Sequence, residues 1–232
     1  MGWMVADHPD AERELLTAGE RLAEVGGVSM AVQVLRATAK AHPDTAAAHL
    51  AYGHLLARLG QREAASGELR RARELRPDWE VAVVELAKSL PPEEGLAILK
   101  DYLAGHAEAL RARLRYAQGL LATDQPQAAE QVYAGLGEDQ PESAEVFMGL
   151  GLARYHQQDW AGAVEAFKRV QRDYPGSDKV PAALLKEGYT YYELQDYRMA
   201  RKTLLSVTER FPDHRVAKLA QQRMDRIRKE RI

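Results

Sequence analysis

The sequence contains no cysteine in its 232 residues. That excludes disulfides, thiolate nucleophiles and cysteine-ligated zinc, and leaves the redox compartment open. No apolar run approaches the length of a membrane-spanning helix, so membrane insertion is not expected. No charged, then apolar, then small-residue segment opens the chain, so no signal peptide is read in it as written. An excess of one charge is also missing: 32 Lys and Arg against 34 Asp and Glu leave a formal net charge of −2. A general nucleic-acid binder carries a basic excess, so nucleic acid is not an expected partner. Sustained alternation of β-branched residues, the mark of strands, is absent too. There is no Gly-rich phosphate loop, H-E-x-x-H run or Ser-His-Asp spacing. Of the seven histidines, only His49 and His54 are close, and a spacing of five puts them on different faces of a helix. The sequence therefore leads us to expect no catalytic residues, metal or cofactor.

What is present is periodicity. Residues Ala144 to Ser177 read as two amphipathic helices joined by a polar turn at Gln157-Gln158-Asp159. Phe147, Leu150 and Gly151 share one face of the first, and Ala163, Phe167 and Val170 one face of the second. Gly151 and Ala163 let the two helices approach closely, and Pro175, lacking an amide hydrogen, stops the second. The stretch recurs. The small residue of the first helix appears as Gly19, Gly53, Ala87, Ala117, Gly151 and Gly188, at spacings of 34, 34, 30, 34 and 37. That of the second appears as Ala31, Ala65, Gly95, Ala129, Ala163 and Ala200. The stopping prolines are Pro43, Pro77, Pro141, Pro175 and Pro212, with Ala107 where the third is expected. The pattern F-x2-LG, A-x3-F, P resembles the tetratricopeptide repeat, with Phe147 at the usual Trp site and Arg154, departing from it, at the usual Tyr site.

The expected architecture is all-α: a right-handed solenoid of six helix pairs, the third shortened, plus a C-terminal capping helix. A lead-in at 1–10 precedes repeats at 11–45, 46–79, 80–109, 110–143, 144–180 and 181–214, and the cap spans 215–232. Four residues are missing from the third repeat at Leu90-Pro91-Pro92, about one helical turn. Three are added in the turn at Gly176 to Val180. Further inward-facing candidates are Tyr52, Leu56, Leu69 and Ala72 in the second repeat and Tyr116, Leu120, Tyr133 and Leu136 in the fourth. In the cap, Val216, Leu219, Ala220, Met224 and Ile227 are read as one apolar face and the Lys, Arg and Gln residues as the solvated one.

The last third carries a narrower likeness. Tyr174 to Tyr189, YPGSDKVPAALLKEGY, followed by Phe211 to Ala220, FPDHRVAKLA, resembles the C-terminal repeat domain of the Tol–Pal-associated cell-division coordinator family, CpoB (YbgF). The likeness spans about 144–226 and implies a periplasmic protein of the bacterial envelope. A chain complete as written would instead be cytoplasmic.

Repeat solenoids bind through the concave surface lined by the first helix of each pair. By register that surface presents Lys88, Arg111 and Arg115, with Arg58, and then Met148, Leu152, Tyr155, Leu185, Tyr189 and Tyr192. A basic patch beside an aromatic strip suits a protein or peptide ligand carrying acidic groups. The carboxylate clamp of chaperone-binding repeats is not expected: Leu50, His54 and Glu85 occupy its earlier sites, and Glu85 repels a carboxylate. The function read is a non-catalytic scaffold. The alternatives are a structural protein in which the strip drives homo-oligomerisation, a fusion of repeat segments and, least favoured, an RNA-binding helical repeat.

Overall fold

A computed structural model describes residue 21 and residues 27–139 and 143–229. Among the described residues there are twelve α-helices and no strand. The lead-in, the expected first helix with Gly19, and Pro141 lie outside them. Contacts gather into two compact units, Met1–Gly119 and Leu120–Ile232. Periodicity, which reports the spacing of faces and not where contacts thin, reads a single array.

In the first unit lie α1 (Val28–Ala41), α2 (Ala46–Arg58), α3 (Arg62–Leu75), α4 (Glu80–Ser89), α5 (Pro92–Gly105) and most of α6 (Leu110–Ala122). The second contains α7 (Pro126–Asp139), α8 (Ala144–His156), α9 (Trp160–Asp173), α10 (Val180–Glu193), α11 (Tyr197–Arg210) and α12 (Arg215–Lys229). From α1 to α5 and from α7 to α12 each helix packs on the next. In addition α2 touches α4 and α10 touches α12.

The apolar stripes meet in these contacts. Phe147, Leu150, Ala163, Phe167 and Val170 are buried, as are Leu56, Leu69, Ala72, Leu120, Tyr133 and Leu136, while Tyr52 and Tyr116 are half-buried. The small residues permit the approach: a Cβ on Gly151 would stand 2.5 Å from the Phe167 ring, and one on Gly149 would collide with the Tyr133 ring.

The second helices end alike. His42, Arg76, Tyr174 and Phe211 each precede a proline and leave the helical region at φ between −125° and −140°. A following proline disfavours the α conformation in this way. His106, followed by Ala107, takes the same backbone (φ −137°, ψ 55°) with its imidazole stacked 4.2 Å from Tyr102. Between the helices of a pair the chain passes through positive φ, at Gly60, Asp124, Gln158 and Gln195.

Both length irregularities are visible. The helix α4 has 10 residues where α2, α6 and α8 have 13, and Leu90-Pro91 replaces a three-residue turn. Six residues, Tyr174 to Lys179, separate α9 from α10 where four separate α3 from α4. In α12, Val216, Ala217, Ala220 and Ile227 are buried. Leu219, expected on that face, is 42% exposed. Its direction falls about 100° from the centre of the buried stripe, and Ala217 takes the inner place.

Candidate partner-binding faces

In the second unit α8, α9 and α11 begin from side-chain caps, while α10 begins at Lys179 without one. Ser143 Oγ accepts from the Val146 amide, and Asp159 and Asp196 accept from Gly162 and Met199 at 3.0 and 2.9 Å. These caps help set where α8, α9 and α11 start. On α8 the residues Met148, Leu152 and Tyr155 follow one another at four and three positions, and on α10 Leu185, Tyr189 and Tyr192 do the same. All are half-buried except Leu185, which is 5% exposed and belongs to the core with Val164, Leu184 and Leu204.

Two cations and two further rings complete this face. The Arg223 guanidinium of α12 lies 4.5 Å over the Tyr189 ring and 4.8 Å over that of Tyr192, so the terminal helix covers part of the strip. Lys186 Nζ stands 5.6 Å over the Tyr155 ring, whose edge meets Trp160 at 5.0 Å. Tyr192 meets Tyr197 at 5.5 Å. Burial pushes the Tyr155 hydroxyl up, and the Glu193 carboxylate beside it adds to the effect. Burial pulls the Lys186 ammonium down, as does the charge of Arg223. Lys186 has no carboxylate partner among the described residues. A half-buried amine repelled by a guanidinium is a place where an incoming anion gains twice. Lys186 and Glu193 could have been found by register, since they share the Tyr189 face of α10. Arg223 could not, because its place depends on how α12 docks.

In the first unit the basic residues stand differently. Lys88 Nζ donates to Glu85 Oε1 at 2.7 Å, and His54 Nδ1 lies 3.1 Å from Glu85 Oε2. Burial pushes Glu85 up, but the hydrogen bonds from His54 and Lys88 outweigh it and hold it at about 2. Lys88 is thus already matched, Arg111 is exposed and Arg115 is half-buried. The neighbouring Ala112 amide donates to Glu80 Oε1 at 2.9 Å, which joins the start of α6 to α4. His49, buried, bridges Glu68 at 2.7 Å and the Pro43 carbonyl at 3.1 Å, a purely structural use. Among the described residues no three His, Asp or Glu side chains gather as a metal site would need, and no helix is long and apolar enough to cross a membrane.

A tetratricopeptide repeat family model matches residues 16–80 and 114–178, more than half of the chain, and a second such model matches 182–214. No curated protein matches the sequence. Among solved structures, PilW, a type IV pilus biogenesis factor, is 16% identical with a TM-score of 0.75 over 90% of this chain and 97% of that one. PilF of Pseudomonas aeruginosa is 16% identical with a TM-score of 0.70 over 93% and 97%. YrrB, a repeat protein with an unusual peptide-binding site, is 18% identical with a TM-score of 0.61 over 82% and 99%. At these identities the likeness is one of fold.

Proposed function

The chain belongs to the tetratricopeptide repeat family, and we propose that it is a non-catalytic scaffold holding a peptide segment of a partner protein. The contact face in the second unit is Met148, Leu152, Tyr155, Tyr189 and Tyr192, with Leu185 supporting it from the core. The observation that carries this is the set of tyrosine rings beside two cations, Lys186 and Arg223, of which Lys186 has no acid of its own. Aromatic faces give contact area at low entropic cost, and the unmatched ammonium selects an acidic group. In the first unit the exposed Arg111 offers a further cation beside the half-buried Arg115, which has contacts of its own, while Lys88 becomes available only if Glu85 gives it up.

The test is photocrosslinking in the native host from a probe at Leu152, with and without Tyr155→Ala and Tyr192→Ala. Loss of the crosslinked partner in the double variant is expected, and undiminished capture counts against this face. The likeness of residues 144–226 to the Tol–Pal-associated coordinator supports a bacterial-envelope setting. Fractionation that finds the protein wholly in the cytoplasm would remove it.

A further inference from the structure

The two units contain the same slot, filled differently. In each it opens between the second helices of successive pairs, with the intervening first helix as its floor. In the first unit it lies between α3 and α5, has a volume of about 350 Å³, and has Leu86 of α4 beneath it. Its cations are matched across the gap: Arg70 meets Glu94 at 3.6 Å, and Arg73 meets Asp101 at 2.9 Å. Glu94 and Asp101 are seven apart on α5, so they look out from one face.

In the second unit the slot lies between α9 and α11 and has a volume of about 500 Å³. Register relates the two through Ala65 and Ala163 and through Gly95 and Ala200. Arg70 becomes Lys168, Arg73 becomes the neutral Gln171, and Glu74 becomes Arg172. The facing acids are gone: Glu94 becomes Met199 and Asp101 becomes Ser206. Two cations are added where Ala97 and Gly105 stood, Lys202 and Arg210, and both are exposed. Neither has a carboxylate partner among the described residues, while Lys168 stands 5.6 Å over the Tyr191 ring and feels the charges of Glu187 and Glu165. Arg172 is held by its neighbour Asp173 at 2.7 Å.

The acid in the lining of this slot is Glu187, which stands at the floor where Leu86 stood. It is 5% exposed and bound to Gln171. Burial pushes its carboxyl up, with Gln171 and Lys168 opposing, so the floor competes weakly for the cations at the rim.

We infer that the slot between α9 and α11 is a second docking surface, which receives an acidic segment of a partner protein whose carboxylates stand where Glu94 and Asp101 stand in the first unit. Carboxylates are favoured over phosphates because the same fold, at the equivalent place, closes the gap with a Glu and an Asp. The surface is separate from the tyrosine face and does not depend on it.

Fluorescence anisotropy with a labelled poly-Glu peptide on the full chain tests this. The peptide is expected to bind with salt-sensitive affinity, and its poly-Gln counterpart not to bind. Lys202→Glu with Arg210→Glu should weaken binding about tenfold, the scale of two reversed charges at an exposed contact. Met199→Glu with Ser206→Asp should give Lys168, Lys202 and Arg210 acids of the chain's own, weaken the same binding and leave the fold intact by circular dichroism. Equal binding of the two peptides, or unaltered binding by both charge variants, overturns the inference. So does capture of an RNA oligonucleotide or anionic vesicles through these residues with no binding of poly-Glu.

Discussion

Arg154 Nε donates to Glu130 Oε1 at 2.8 Å, and Gln157 Nε2 donates to the other oxygen at 2.6 Å, so α8 and the residue that caps its end hold one carboxylate of α7. Arg154 is the departure from the repeat pattern, and the structure gives it this work; it also reaches the Gly162 carbonyl at 3.4 Å. The hydrogen bond from Arg154 holds the Glu130 carboxyl below its ordinary value, against a smaller upward push from burial. A depressed carboxyl contributes stability above its unfolded value and loses it as pH falls through the folded one. Glu130→Gln should cost about 1 kcal/mol at neutral pH and flatten part of the acid limb of the stability–pH profile in urea denaturation.

Glu85 makes a deeper version of the same arrangement. Its folded value of about 2 lies below the unfolded one, so its contribution is whole above about pH 4.3 and disappears as pH falls toward 2. Glu85→Gln should destabilise the first unit by about 1–3 kcal/mol at neutral pH and remove that dependence. Hydrogen exchange of α2 and α4 against pH checks it.

The paired turns predict a gain. Gln158 and Gln195 sit at φ 62° and 61°, where Gly60 sits at 76°. A side chain pays about 1–2 kcal/mol there, of which a glycine's greater unfolded freedom returns part. Gln158→Gly and Gln195→Gly should each stabilise by about 0.5–1 kcal/mol, and Gly60→Ala should destabilise by about 1 kcal/mol, in thermal melts.

Two helical glycines should answer alanine with opposite signs. A Cβ on Gly67 meets nothing within 4 Å, so Gly67→Ala should stabilise by about 0.5–1 kcal/mol. A Cβ on Gly151 would meet Phe167 at 2.5 Å, so Gly151→Ala should destabilise by about 1–3 kcal/mol. Leu150→Ala, which empties a site 8% exposed, should cost about 2–5 kcal/mol.

The helix pairs were legible because each must present a small residue at the crossing and a stop at the end, and both recur at a countable interval. The four missing and three added residues could be placed by subtraction for the same reason. Side chains whose partners come from another helix were not legible. Register put Leu185 in a strip with Tyr189, but the helix turns it inward against Leu204. It put Lys88 in a basic patch open to a ligand, but Glu85, one turn earlier, takes it. Leu219 was assigned to the apolar face of α12 by register, while the docking of α12 on both α10 and α11 chose Ala217.

The shortened α4 bears on how chains of this kind change length. Its pair lacks four residues, which is close to one full rotation, and the following helix still meets its neighbour with Gly95 against the Ala87 carbonyl. Removing a single further residue would swing that glycine by about 100° and bring a bulkier side chain to the crossing. Insertions and deletions within these rods are therefore admissible only in near-whole turns, whereas the turn after α9 can lengthen by any number. An alignment of relatives should find its gaps quantised in the first place and unrestricted in the second.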